Sequence, residues 1–405
     1  MNNLIQTIID KKKDILTGEI GALLHDIGKC HPYFIGKNSI ENTPTNFDHT
    51  NIDEFLGKEL INLIKDEKFK LKINNNETDV YKIITEHHKG NGYIIELIKS
   101  CDRLDSADDK GIVRRKQSMG NTIISSPFGF PKEKIDPNCL QKKLDDLQSN
   151  LTDLFQNYIT GNIDITCLRK SVVNNLKTTF SHALGETRIP ANDVTLWDHS
   201  HSTASLFKSV LCSMTLGENP DVKNLQWRIL GFCWDGIGFI NKGKKIADIL
   251  RRNDIIEEIK EKLQNKFENE IPIGNVIYED NNGIYFTFPA LDDSESKELA
   301  IECAEIGLKI IREKSDNEIW PFFTLSKPSR SLTILAEELK FASQKRCFPK
   351  MTAMIFIEGL EEIISESPEM LIPEEGEDIC PVCRLRTKPV KNEKCKVCED
   401  RQKAD

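Results

Sequence analysis

Gly21 to Lys29 reads GALLHDIGK, and the interpretation of the first half of the chain starts from this stretch. Ile20, Ala22, Leu23 and Leu24 form an apolar helical run that delivers His25 and Asp26 side by side and breaks at Gly28. An imidazole nitrogen next to a carboxylate oxygen suits a divalent transition metal. Such an ion brings the pKa of bound water down to near neutrality and so supports hydrolysis of phosphate esters. A dipeptide alone is common, so the reading depends on whether other ligands exist.

Working outward, His49 lies in FDHTNIDEF at an expected helix start, and His87 and His88 lie in EHHKGNGY at the end of a helix. Asp102 lies in SCDRLDS within a helix, with Asp105 one turn on as a supporting or surface carboxylate. His199 lies in LWDHSHSTASLF, where Asp198 or Ser200 is expected to cap a helix running to Leu216. The expected ligands are therefore His25, Asp26, His49, His87, His88, Asp102 and His199. Their nitrogen and oxygen donors, without sulfur, favour manganese, iron, cobalt or nickel. Lys29 would offset charge on a phosphorane-like transition state, or is equally a solvated lysine at a helix end. His31, His182 and His201 read as surface or structural residues.

The last stretch carries a second constellation. CPVC and CKVC place Cys380, Cys383, Cys395 and Cys398 as two C-x-x-C turns, the pattern of a structural zinc bound by four thiolates. Arg384, Arg386, Lys388, Lys391 and Lys394 lie between or beside them; they either touch nucleic-acid phosphate or offset the charge of a zinc tetrathiolate. Cys30, Cys101, Cys139, Cys167, Cys212, Cys233, Cys303 and Cys347 are scattered singly and read as small core residues.

Between the two constellations the periodicity changes. Helical spacing dominates to about residue 216. WRILGFCW then reads as a buried strand, and KGKKIADILRRNDIIEEIKEKLQNKFENEI as an amphipathic helix. GNVIYED and GIYFTFP are strands joined by Asn281-Asn282-Gly283, a hairpin signal. A second helix and the strand IWPFFTLS follow, giving βαββαβ, the ferredoxin-like order. A further helix is expected near Met351 to Glu366, then an acidic linker. The expected class is α+β: an all-α domain over 1–216, a ferredoxin-like domain over 222–330, a helical and acidic linker over 331–378, and zinc-ribbon-like knuckles with four cysteines over 379–405.

Composition narrows the function. The 405 residues are 39% hydrophobic and 29% charged, with a net charge of −9. The negative balance argues against a protein that coats nucleic acid nonspecifically. No run approaches the roughly 18 to 20 apolar residues of a membrane span, and the N-terminus has the wrong charge order for a signal peptide. The expectation is a cytoplasmic protein without a membrane partner.

HDIGK, His49, His87-His88 and Asp102 resemble the ligand set of the HD phosphohydrolase superfamily. Members have a His on a helix before the HD pair, and no His precedes His25. LWDHSHSTASLF resembles that missing first helix, placed after the others, which implies a circularly permuted HD domain closed by His199. The order of HD domain, ferredoxin-like domain and double C-x-x-C is similar to the large, HD nuclease/polymerase-like subunit of type III CRISPR effector complexes. WDGIGFI, carrying Asp235, Gly236, Ile237, Phe239 and Ile240, resembles that family's entry into its first palm domain, and NVIYEDNNGIYFTFP its palm hairpin.

The resemblance implies an antiviral defence protein whose HD site, with His25, Asp26 and Lys29 as catalytic residues, cuts single-stranded DNA. It also implies partnership with CRISPR RNA and smaller subunits. The alternative is a scaffold subunit with a weak or inactive HD site. The family's Gly-Gly-Asp-Asp motif occurs nowhere in this sequence, so cyclic oligoadenylate synthesis is not expected of this chain alone. The chain matches the N-terminal half of the family pattern.

Overall fold

The computed structural model describes residues 4–36, 39–40, 47–109, 118, 121–126, 128, 130–185, 191–346, 352–366 and 372–403. They form two compact units, one of residues 1–226 with 269–274, the other of 227–268 with 275–405.

The first unit is built on helix α1 (Lys12–Leu24), in which every residue from Ile15 to Leu24 is buried. A helix buried on all sides over ten residues belongs at the centre of a domain. Around it stand α2 (Val80–Glu86), α3 (Tyr93–Asp109), α4 (Pro137–Thr160), α5 (Ile165–Phe180) and α6 (Leu196–Thr215). The helix N-termini carry the expected chemistry: Asp79, Asp136 and Asp164 accept backbone N–H bonds at the starts of α2, α4 and α5. Helix α6 starts differently from expectation. Thr195 is its N-cap and Asp198 closes a capping box with it, so neither Asp198 nor Ser200 is the cap. The stretch around Asp53 to Phe69 is broken at Gly57 into a 3₁₀ turn, a short helix Lys58–Ile64 and a second 3₁₀ turn.

The second unit is a six-stranded sheet. Its strands are β1 (Trp227–Cys233), β2 (Val276–Asp280), β3 (Gly283–Pro289), β4 (Phe322–Leu325), β5 (Thr352–Ile357) and β6 (Leu360–Glu366), in the spatial order β6-β5-β4-β1-β3-β2. All neighbours are antiparallel except β4 and β5. Helix α7 (Ile246–Gln264) follows β1, α8 (Asp293–Lys314) follows β3, and α9 (Ile334–Arg346) follows β4. From β1 to β4 the long elements therefore run strand, helix, strand, strand, helix, strand. Every residue of β1 is buried because both faces are covered. Phe232 packs on Phe323 and Phe267 on one face. Ile229 and Cys233 pack with Tyr285, Phe322, Ile334 and Ala342 on the other.

The helix expected near Met351 to Glu366 is not formed: residues 352–366 are the hairpin β5–β6. Glu358 and Gly359 have φ of 51° and 88°, the left-handed pair that a two-residue hairpin turn requires. Two of the cysteines expected in the core are exposed. Cys139 and Cys167 each lie in the first turn of an Asp-capped helix, facing solvent. Cys30, Cys101, Cys212, Cys233 and Cys303 are buried, and Cys347 falls outside the described residues. No helix among the described residues is long and apolar enough to cross a membrane.

Candidate metal centres

Helix α1 ends at His25, and Asp26 begins a 3₁₀ turn, Ile27–Cys30, that reverses the chain. Gly28 is required there. A Cβ on it would lie 2.2 Å from the carbonyl oxygen of His49, so only glycine lets the His49 loop rest on this turn. His49 precedes a 3₁₀ turn at Ile52–Glu54, not a full helix. Helix α2 ends into His87 and His88, α3 contributes Asp102 from its middle, and α6 contributes His199 one turn past its cap.

All seven expected ligands converge. Two four-residue groups, His25–Asp26–Asp102–His199 and Asp26–His49–His87–His88, each bring one donor atom per residue to within 4.8 Å of the others. Asp26 belongs to both. Its Oδ2 lies 3.2 Å from Nε2 of both His25 and His199. Its Oδ1 lies 3.2 Å from His49 Nε2 and 3.8 Å from His87 Nε2. Asp102 reaches both groups, 3.3 Å from His199 Nε2 and 3.8 Å from His88 Nδ1. The first group is buried, whereas the His88 side chain is 41% exposed and opens the second to solvent.

The ring orientations are fixed from behind. Nδ1 of His25 bonds Ala22 O at 2.7 Å and Nδ1 of His87 bonds Ile84 O at 2.9 Å, the same local device at two helix ends. His199 Nδ1 bonds Asp105 Oδ2 at 2.6 Å, and Asp105 is held in turn by Ser202 Oγ. With Nδ1 donating, each ring turns an Nε2 lone pair inward, the arrangement of metal-bound histidine. His25 Nε2, His87 Nε2, His199 Nε2 and Asp26 Oδ1 are buried without a hydrogen-bond partner, while Asp26 Oδ2 is ion-paired with Lys29. Such groups are costly unless something pairs with them, and a divalent cation is what this donor set fits.

The electrostatics favour a neutral ring at His87 and a charged one at His199, whose Nε2 proton a cation would have to displace. Burial opposes ionisation of Asp26, but His25 and Lys29 outweigh it and hold the carboxyl well below its usual range. Asp102 is likewise held low, His199 and His25 overcoming burial. Burial, with His25 beside it, pushes His87 down to about 3, which keeps it a neutral donor. His199 moves the other way: burial and Lys29 disfavour its charge, but Asp102, Asp105 and Asp26 raise it well above 6.5. Lys29 Nζ sits 2.6 Å from Asp26 Oδ2 and 3.4 Å from Gly185 O, at the site's edge rather than in solvent.

The other histidines lie outside both groups. His31 stacks on Phe47 and His182 bonds Glu133. Sequence reasoning missed Ser202 and a buried ion triad in which Arg169 and Lys208 approach Glu19 at 2.6 and 2.9 Å. A faint signal existed for the first: Asp102 with Asp105, and His199 with Ser202, are matching i, i+3 pairs on α3 and α6.

The four cysteines near the end also converge, their sulfurs within 4.8 Å of one another. Cys383 Sγ to Cys395 Sγ is 3.9 Å, close to the about 3.8 Å edge of a tetrahedron with zinc–sulfur bonds of about 2.3 Å. Burial raises the Cys380 thiol, but backbone N–H groups of Cys395, Cys383 and Val382 overcome this and bring it to about 6. Four sulfurs would fill the tetrahedron of a zinc ion and leave no open position, the pattern of a structural site. The basic residues around it are largely engaged within the protein. Arg386 bonds Glu318 at 2.7 Å, Lys388 is buried near Asp378, and Lys394 bonds Gln402. Arg401 also meets Glu318, at 2.6 Å, and with Arg252 at 2.8 Å three guanidinium groups share one carboxylate.

No family model matches the sequence, and no curated protein matches it. Solved structures do match its fold. A Csm1–Csm4 cassette in complex with one ATP aligns with a TM-score of 0.54 over 82% of this chain at 14% identity. Csm1 of T. onnurineus aligns at 0.52 over 85% at 14% identity. The Csm1–Csm4 subcomplex of the type III-A CRISPR-Csm interference complex aligns at 0.53 over 82% at 15% identity. The fold is therefore Csm1-like. The chain spans about half the length of these structures, covering 48%, 51% and 48% of them.

Proposed function

We propose that this chain is a subunit of a type III CRISPR effector complex. Its first unit is a circularly permuted HD domain that hydrolyses phosphodiester bonds of single-stranded DNA. The observation that carries the hydrolytic reading is Asp26, shared by two ligand groups, with His199 reaching it from the far end of the domain. The Csm1-like fold supports the assembly reading, in which CRISPR RNA and smaller protein subunits are partners. The second unit is read as a ferredoxin-like palm carrying zinc knuckles.

Divalent manganese, iron, cobalt or nickel held by these ligands supplies polarisation of a phosphodiester oxygen and a water acidic enough to attack at neutral pH. The chain's own residues do the rest. Asp26 offers one oxygen to each ligand group, and the backbone carbonyls of Ala22 and Ile84, with Asp105, hold three imidazoles aimed inward. Lys29 places a positive charge beside Asp26, where it would offset the negative charge that builds on the phosphoryl oxygens during in-line attack. His88 marks the side from which a diester enters.

One observation favours the scaffold alternative: Lys29 already neutralises Asp26 Oδ2 and competes with a cation there. The experiment is direct. Purified protein with manganese is incubated with end-labelled single-stranded DNA, alongside Asp26→Ala and His199→Ala. Cleavage by the parent and its loss in both variants, with manganese content falling in parallel, is the expected result. Manganese binding without cleavage would support the scaffold, and cleavage that survives both substitutions would remove the HD reading.

A further inference from the structure

The first two turns of α7 are inside out. Asp248 and Arg252 point inward, 2% and 1% exposed, and pair with each other at 3.0 Å. Ile246 and Leu250, one turn apart on the same face, are 77% and 60% exposed, and Ile249 is 38% exposed. A helix folding for its own stability buries such residues and exposes its charges. Arg252 is fixed inward by bonds to Phe239 O and Glu318, so rotating the helix to bury Leu250 would break that set.

The turn that leads into the helix is equally unusual. Lys242, Lys244 and Lys245 are exposed, and none has a carboxylate partner among the described residues. Further along the same helix Arg251 pairs with Glu258 and Lys260 with Glu257. Gly243 packs against Ile249, which brings the lysine turn onto the aliphatic patch.

We infer that Ile246 and Leu250, rimmed by Lys242, Lys244 and Lys245, form a docking surface for a protein partner that presents carboxylates around an aliphatic centre. An apolar core with a charged rim is the anatomy of a protein interface. Aliphatic side chains offer no stacking platform, which a single-stranded nucleic acid uses together with cationic groups. The inference rests on the assembly reading above and adds a location and a chemistry to it.

The test uses the full chain, tagged and expressed in its native host, with a photo-reactive benzoylphenylalanine at position 246. The expected result is a cross-link to an Asp/Glu-flanked aliphatic peptide of a co-purifying protein subunit. That cross-link should be lost in Lys242→Glu/Lys244→Glu/Lys245→Glu. The purified subunit should then bind the triple variant at least roughly tenfold more weakly than the parent and with less salt dependence. Cross-links to RNA, to lipid or to a second copy of the chain would overturn the inference, as would subunits that co-purify without any cross-link. If no subunit co-purifies at all, the assembly reading itself fails. Manganese-dependent hydrolysis, placed in the other unit, is expected to be unchanged by the triple substitution.

Discussion

At the scale of single residues, the first centre depends on atoms that hold ligands in place as much as on the ligands. Asp105 bonds His199 Nδ1 and leaves Nε2 for a cation. Asp105→Asn should keep the helical fold by circular dichroism and lower manganese affinity by roughly 10–100-fold in calorimetric titration; an unchanged affinity would show that the carboxylate plays no part. Gly28 is the second such residue, since any Cβ meets the His49 backbone at 2.2 Å. Gly28→Ala should displace His49 and reduce bound metal, read by elemental analysis. The residues that converge were legible in the sequence because histidines are few and the His-Asp pair is chemically distinctive. Asp105 was legible only in part, since nothing local separates a carboxylate that orients a histidine from one on the surface.

At the scale of elements, α1 and α6 are joined at two levels. Asp26 meets His199 near one end, and Glu19 meets Lys208 along their shared length. Helix α6 is remote in sequence from α1, so its register has to come from such contacts. Glu19→Gln removes the buried carboxylate that Arg169 and Lys208 both approach and should cost about 3–5 kcal/mol in urea unfolding. The same triad predicts a pH dependence. Burial raises the Glu19 pKa, but Arg169 and Lys208 overcome it and lower it from 4.5 to about 2. A depressed carboxyl stabilises the fold above its unfolded value, so this contribution is present above pH 4.5 and is lost as pH falls toward 2. Acid titration of the Glu19→Gln variant should therefore lack the part of the parent's stability loss that falls in that interval. Element types were read well where periodicity was long, as in α3, α4 and α8. They were misread at β5–β6, where Glu358-Gly359 is a weaker turn signal than Asn-Gly and the apolar run TAMIFI has no helical spacing to test.

At the scale of the whole molecule, the two units each carry their own cluster of side chains that could hold a metal, and the donor chemistries separate cleanly. The helical unit uses nitrogen and oxygen donors, the sheet unit only sulfur. Zinc chelation should therefore expose four thiols to a colorimetric thiol reagent and destabilise the sheet unit, because Arg386 and Arg401 tie the cysteine module to Glu318. It should leave the manganese content of the first unit unchanged. Asp26→Ala should do the converse. Simultaneous loss of both metals in either experiment would contradict two independent centres.

The sequence by itself determined which residues could bind metal and where the long helices and the strands of the βαββαβ segment fall. Those properties follow from side-chain chemistry and from periodicity over a few turns, and both are local. Only the tertiary structure decided that Asp26 serves two ligand groups, that His199 crosses some 170 residues of chain to reach it, and that α7 starts with its charges inside and its aliphatic residues outside. These depend on which faces of distant helices meet, and that is set by buried ion pairs and close glycine contacts between segments far apart in the chain.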